Sequence, residues 1–205
     1  MRILIVFIII LVFAGLAYLF LHSSPVIAPV VEYPGVAVLS DKDIPISQAK
    51  TRITKKFFGT FVSPNNSPVS PERFTGYHTG VDFETFSGEE NKDISVLALC
   101  DGNLGLKEYA SGYGGVAIQN CVLNQQAVTV VYGHLKLASI SISKGASLKR
   151  GDKIGILGKG FSSETDGERK HLHLSIHKGT AITILGYVQK SSELSSWLDP
   201  TPFLY

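Results

Sequence analysis

The sequence predicts an all-β domain, a compact antiparallel sheet or barrel-sandwich, standing behind an N-terminal transmembrane helix. Three observations carry this expectation: an almost unbroken apolar run over residues 3–21, short β-rich runs punctuated by Gly, Asn, Ser and Pro from about residue 51 onward, and the absence of long amphipathic helical patterns between them. At 205 residues the chain has room for one ordinary domain with an appendage. Its 19 Lys+Arg against 17 Asp+Glu leave a formal charge of +2, which gives no electrostatic case for a nucleic-acid partner and no charge excess of the kind that favours disorder. Removing the apolar run lowers the hydrophobic share from 44% to about 39%, a level compatible with a soluble core.

Taken in chain order, residues 1–23 read as a membrane anchor or signal-anchor. The run of about 19 residues spans roughly 28 Å as a helix, close to the thickness of a hydrocarbon core. Cleavage is disfavoured because the best candidate site, Val26-Ile27-Ala28, has a large residue inside it and Pro29 directly after it; were it cleaved, the protein would be secreted. Arg2 supplies the positive flank on the short side, which places the C-terminal bulk outside the membrane. Residues 24–50 carry Pro25, Pro29, Pro34 and Pro45 and read as an extended linker, with one short helix expected around residues 47–56. From residue 51 to 205 strands are expected at 57–62, 96–99, 115–121, 127–132, 153–157 and 171–177.

Cys100 and Cys121 end two of these strand-like runs. If the runs 96–100 and 116–121 pair about the glycine-rich turn at 111–115, the two cysteines face each other in a compartment that permits oxidation.

Chemistry-bearing residues gather in three places. On a strand, side chains two apart share a face, so His171 and His173 project together while Leu172, Leu174 and Ile176 point the other way. Such a pair suits a metal site, or equally a polar strand face turned to water. His177 is in phase with the pair and reads as a groove-edge or solvent histidine. His78 and Asp82, four apart in an extended segment, also share a face; with His173 they make three protein ligands with a fourth position free, the pattern of a catalytic zinc site. His134 ends the apolar run 127–132 and by itself reads as a strand-end histidine. Tyr77, Tyr113 and Tyr132 are candidates to line a groove. No GxSxG occurs, and neither cysteine has a histidine near it in sequence, which disfavours a serine or cysteine hydrolase.

In order along the chain, the segments His78-Thr79-Gly80-Val81-Asp82, Gly112-Tyr113-Gly114-Gly115-Val116, Tyr132-Gly133-His134-Leu135, Gly145 with the stretch 148–158, and His171-Leu172-His173 resemble the lysostaphin/LytM-type zinc metallopeptidases. The resemblance runs from about residue 55 to the C-terminus. It implies the duplicated hybrid motif fold, Zn²⁺ as cofactor, and hydrolysis of the stem peptides or cross-bridges of bacterial peptidoglycan from the outer side of the bacterial cell membrane. It also implies His78, Asp82 and His173 as metal ligands and His134 and His171 as the unliganded catalytic pair. One departure stands out: where the family has a short Gly- and Ser-rich turn ending in Gly-Pro, residues 160–170 form a longer charged loop, which bears on substrate preference more than on the metal set. The competing expectation is a non-catalytic regulator that binds the cell wall and activates other hydrolases.

Overall fold

The computed structural model describes residues 44–204. The expected anchor, most of the expected linker and Tyr205 lie outside the described residues. Among those described, no helix is long and apolar enough to cross a membrane.

The described residues are mainly β, and the one α-helix among them is the four-residue α1 (Ala49–Arg52). Twelve strands follow: β1 (Phe61–Val62), β2 (Gly76–His78), β3 (Gly80–Glu84), β4 (Ser95–Leu97), β5 (Gly102–Ala110), β6 (Gly114–Leu123), β7 (Gln126–Leu135), β8 (Ser147–Leu148), β9 (Lys153–Ile156), β10 (His171–Lys178), β11 (Tyr187–Val188) and β12 (Trp197–Leu198). The main sheet has the order β12-β10-β7-β6-β5-β8, with β3 also paired to β10; β1, β2 and β11 make a second sheet, and β4 pairs with β9. All of these pairs are antiparallel.

Strict alternation explains why the main sheet holds its register. On β10, Leu172, Leu174 and Ile176 are fully buried in the core, and Val81 and Phe83 of β3 join them there. A one-residue slip would drive that set off the core, so the register that aligns Asp82 with His173 is strongly specified. Core residues of β7 and the β4 region, among them Val130, Tyr132 and Leu99, complete this layer. The Tyr132 hydroxyl is not a groove contact: it accepts from the Leu99 backbone N–H at 2.8 Å and donates to Gln119 at 2.7 Å, inside the core.

The hairpin about residues 111–113 exists, but its first strand is β5, which the sequence does not announce. The run Gly102–Ala110 carries two glycines and several exposed polar side chains, and a register shift at Leu104/Leu106 breaks its alternation. The run at 96–99 instead pairs with β9 in a separate two-stranded sheet, and its strand stops at Leu97. The cysteines meet nonetheless, because Gly102 stands opposite Cys121 and the chain reaches Cys100 two residues earlier. Cys100 and Cys121 form a disulfide across 21 residues of sequence, a closure of a size that contributes about 3 kcal/mol.

The first strand is also shorter than expected. Residues 58–59 form a turn, leaving only Phe61–Val62 paired. The expected helix over 47–56 contracts to α1, since Gln48 takes a left-handed conformation, no side chain caps the start, and Ile53 is already extended. Residues 44–50, the end of the expected linker, pack against the domain: Ile44, Ile46 and Ala49 lie in the core.

Arg52, 1% exposed, anchors this segment. Its guanidinium bonds Glu89 through two nitrogens at 2.7 and 2.9 Å, donates to the carbonyls of Ser47 and Glu84, and lies 4.0 Å over the Phe86 ring. The hydrogen bond from Arg52 is the main cause that holds the Glu89 carboxyl down at about 2, against an ordinary 4.5. Because the folded value is depressed, the unfolded chain binds the extra proton between these limits, and stability rises with pH there. The contribution is complete above about pH 4.5 and is lost as pH falls toward 2. With solvent screening discounted, it amounts to about 1–2 kcal/mol. Urea unfolding of wild type and Glu89→Gln should differ by that amount at pH 7 and converge near pH 2; a gap that persists at pH 2 would refute the assignment.

Candidate metal centre

Between β2 and β3 the chain leaves the small sheet and enters the main one. Thr79 makes the crossing, donating through its backbone N–H to Gly186 and through its hydroxyl to Leu185. His78 therefore projects from one sheet and Asp82 from the other, while His173 comes from β10 directly opposite Asp82. All three are buried. His78 Nε2 lies 2.9 Å from His173 Nδ1, and Asp82 Oδ1 lies 3.2 Å from each of them.

This triangle suits a cation. A four-coordinate ion with bonds of about 2.0–2.2 Å holds its ligand atoms roughly 3.3–3.6 Å apart, a few tenths of an ångström wider than seen here. The Phe57 carbonyl, 3.2 Å from His78 Nδ1, only accepts, so the ring hydrogen sits on Nδ1 and the Nε2 lone pair faces the triangle. His173 Nε2 is buried without a partner; with its hydrogen there, Nδ1 also presents a lone pair. Burial pushes His173 down to about 4, with the His78 imidazole adding to the effect, which keeps the ring neutral as ligation requires. Burial alone would raise Asp82, but the close approach of His171, His78 and His173 holds it well below the usual carboxylate range.

His171 and His134 stand beside the triangle, their ring centres 4.2 Å apart. His171 Nδ1 donates to the Arg169 carbonyl at 2.9 Å, so its Nε2, 3.3 Å from Asp82 Oδ2, is the basic nitrogen. His134 reaches the same place by a backbone irregularity. Between the pairs Ala117–Tyr132 and Gly115–Leu135, β7 has two residues facing one, and His134 takes φ +61°. Such a conformation is costly for a non-glycine residue and recurs at functional sites. Burial, and next the charge of His171, hold the His134 imidazole well below its ordinary pKa.

These groups open into a cleft of about 380 Å³ shared by Asp82, His134, His171 and His173. Tyr113 lines it, its ring 5.3 Å from His173 and its hydroxyl buried without a partner. Two glycines make room for it: a Cβ at Gly133 would collide with the Tyr113 ring, and one at Gly186 would crowd its hydroxyl at 2.8 Å. Tyr77 packs edge-on against Phe61 away from the cleft. His177 packs against Trp197 and does not reach the site.

Four residues of the cleft and its support were not singled out from sequence. Lys56, 2% exposed, pairs with Glu72 at 2.6 Å and donates to the Tyr187 hydroxyl at 2.8 Å. The Tyr187 ring stacks on Phe74 and lies 5.3 Å from that of His78. Burial first, then the charges of Asp82 and Glu72, raise Tyr187 far above the ordinary phenol value, so it remains a proton donor. Its oxygen already accepts from Lys56, which leaves the O–H to donate elsewhere. The fourth is Arg169, bonded to Asp82 Oδ2 at 2.8 Å.

A model of peptidase family M23 matches residues 76–184, just over half of the chain and inclusive of all five histidine and aspartate positions. The chain belongs to peptidase family M23. The M23 fold is shared with the catalytic domain of the antimicrobial peptidase lysostaphin from Staphylococcus simulans, at 22% identity over 76% of this chain and 96% of that one, with a TM-score of 0.50. LytU is similar at 23% identity over 74% of this chain and 83% of its own, with a TM-score of 0.49. No curated protein sequence matches this M23 chain significantly.

Proposed function

We propose that this M23 chain is a zinc-dependent endopeptidase that hydrolyses peptide cross-links of bacterial peptidoglycan, tethered by its N-terminal helix with the catalytic domain on the outer side of the membrane. The observation that carries the reading is the convergence of one His78, one Asp82 and one His173 donor atom within 3.2 Å, with two further histidines in the same cleft. The substrate is drawn from membership of peptidase family M23 and from the likeness to the antimicrobial peptidase lysostaphin.

His78, Asp82 and His173 would hold the zinc ion, which when bound would supply Lewis acidity toward a water and the scissile carbonyl. His171 accepts the water's proton at Nε2, its tautomer fixed by the Arg169 carbonyl, and returns it to the leaving amine. His134, neutral and close-packed on His171, orients that ring and donates to the oxygen that gains charge. Across the cleft, the Tyr187 hydroxyl, held by Lys56, donates to a substrate carbonyl.

Metal removal tests the reading. Purified protein should release soluble muropeptides from sacculi, lose that activity with a chelator, and regain it on adding zinc. Binding to sacculi with no release at any zinc concentration would favour the non-catalytic regulator instead.

A further inference from the structure

Arg169 is the last but one residue of the charged loop that replaces the family's Gly-Pro turn, and its side chain turns inward. Its Nη2 bonds Asp82 Oδ2 at 2.8 Å and Glu84 Oε1 at 2.6 Å, and its Nε spans both Glu84 oxygens at 3.0 and 3.1 Å. Only 13% of this side chain is exposed. Asp82 and Glu84 are two apart on β3 and so share the site face, which the register sets against His173 and His171. Two neighbouring carboxylates on a buried face repel each other and are costly without compensating charge. Lys55 reaches only Glu84, at 3.4 Å, and is itself 44% exposed. Arg169 is the one cation among the described contacts that touches both.

We infer that Arg169 is a built-in counter-ion for Asp82 that keeps the metal site folded and preformed when no ion is bound, at the expense of metal affinity. It bonds Oδ2, which also lies 3.3 Å from His171 Nε2, and leaves Oδ1 to His78 and His173, so Asp82 faces those two histidines through a single oxygen. A fixed positive charge hydrogen-bonded to a ligand carboxylate stabilises the metal-free protein more than the loaded one. By linkage the same charge weakens binding of a second cation. Arg169 is thus a positioning residue toward the metal, and the inference rests on the metal reading given above.

The experiment uses the full-length protein as wild type, Arg169→Met and the charge-balanced double variant Arg169→Met with Glu84→Gln. Zinc affinity is measured by competition with a chromophoric chelator, and melting temperature is measured both metal-free and zinc-saturated. Arg169→Met should bind zinc about tenfold more tightly, and its metal-free form should lose about 3–5 °C more than its zinc-saturated form. The double variant, which restores the net charge, should return to within about threefold of the wild-type affinity, and it supplies a folded protein if the single variant is too unstable. Unchanged or weaker zinc binding in Arg169→Met, with both forms losing the same melting temperature, would overturn the inference while leaving the metal reading standing. Failure of the wild type to bind zinc would overturn both.

Discussion

His78→Ala should abolish metal binding and hydrolysis together. The substitution removes one corner of the donor triangle, and the remaining pair, Asp82 Oδ1 and His173 Nδ1, are left 3.2 Å apart with no third protein ligand among the described residues. Activity on sacculi should fall by at least about 10⁴-fold, the scale on which catalytic constellations acting as a unit are lost. Metal content after dialysis should fall to background. His78 is fully buried, its ring 5.3 Å from that of Tyr187, so some stability goes with it. His78→Gln, which fills more of the space, controls for that loss. Retention of one zinc per chain in either variant would place the metal elsewhere.

The second large effect separates chemistry from binding. His171→Ala leaves the donor triangle whole, so zinc content should stay near that of wild type, while turnover falls by about 10²–10⁴-fold, the range for loss of a general base. The fall should appear in kcat with little change in KM, since the ring is assigned to proton transfer and not to holding substrate. A His171→Ala protein that releases muropeptides at the wild-type rate would sink the mechanism.

How much of this was readable beforehand depends on the range of the interactions. The His171/His173 pair was legible because one rule, alternation along a strand, governs it, and β10 obeys that rule over its whole length. His78 and Asp82 were legible for a similar reason, although the structure brings them together by a change of sheet at Thr79 and not on one continuous face. Lys56, Tyr187 and Arg169 were not. Their partners are 131 and 87 residues away, and nothing local in a lysine, a tyrosine or an arginine on a loop announces such a meeting. The longer loop at 160–170 was expected to act on substrate choice; its Arg169 also bonds Asp82. At the level of fold, β5 was hidden by its glycines and its bulge, while the cysteine pairing followed from the correct expectation that the strand ends meet, reached through the wrong strand.

The doubled residue on β7 sets a phase. Val128, Val130 and Tyr132 face the main core, so an unbroken strand would turn residue 134 inward with them. The extra residue flips the count once: Gly133 and His134 both fall on the cleft side, and Leu135 returns to the core. The place of His134 thus depends on two residues of β7 facing one of β6 between ladder pairs, not on any neighbour's chemistry. Deleting Gly133 would restore plain alternation and keep His134 on the cleft side, but in the place of Gly133, where its Cβ would run into the Tyr113 ring.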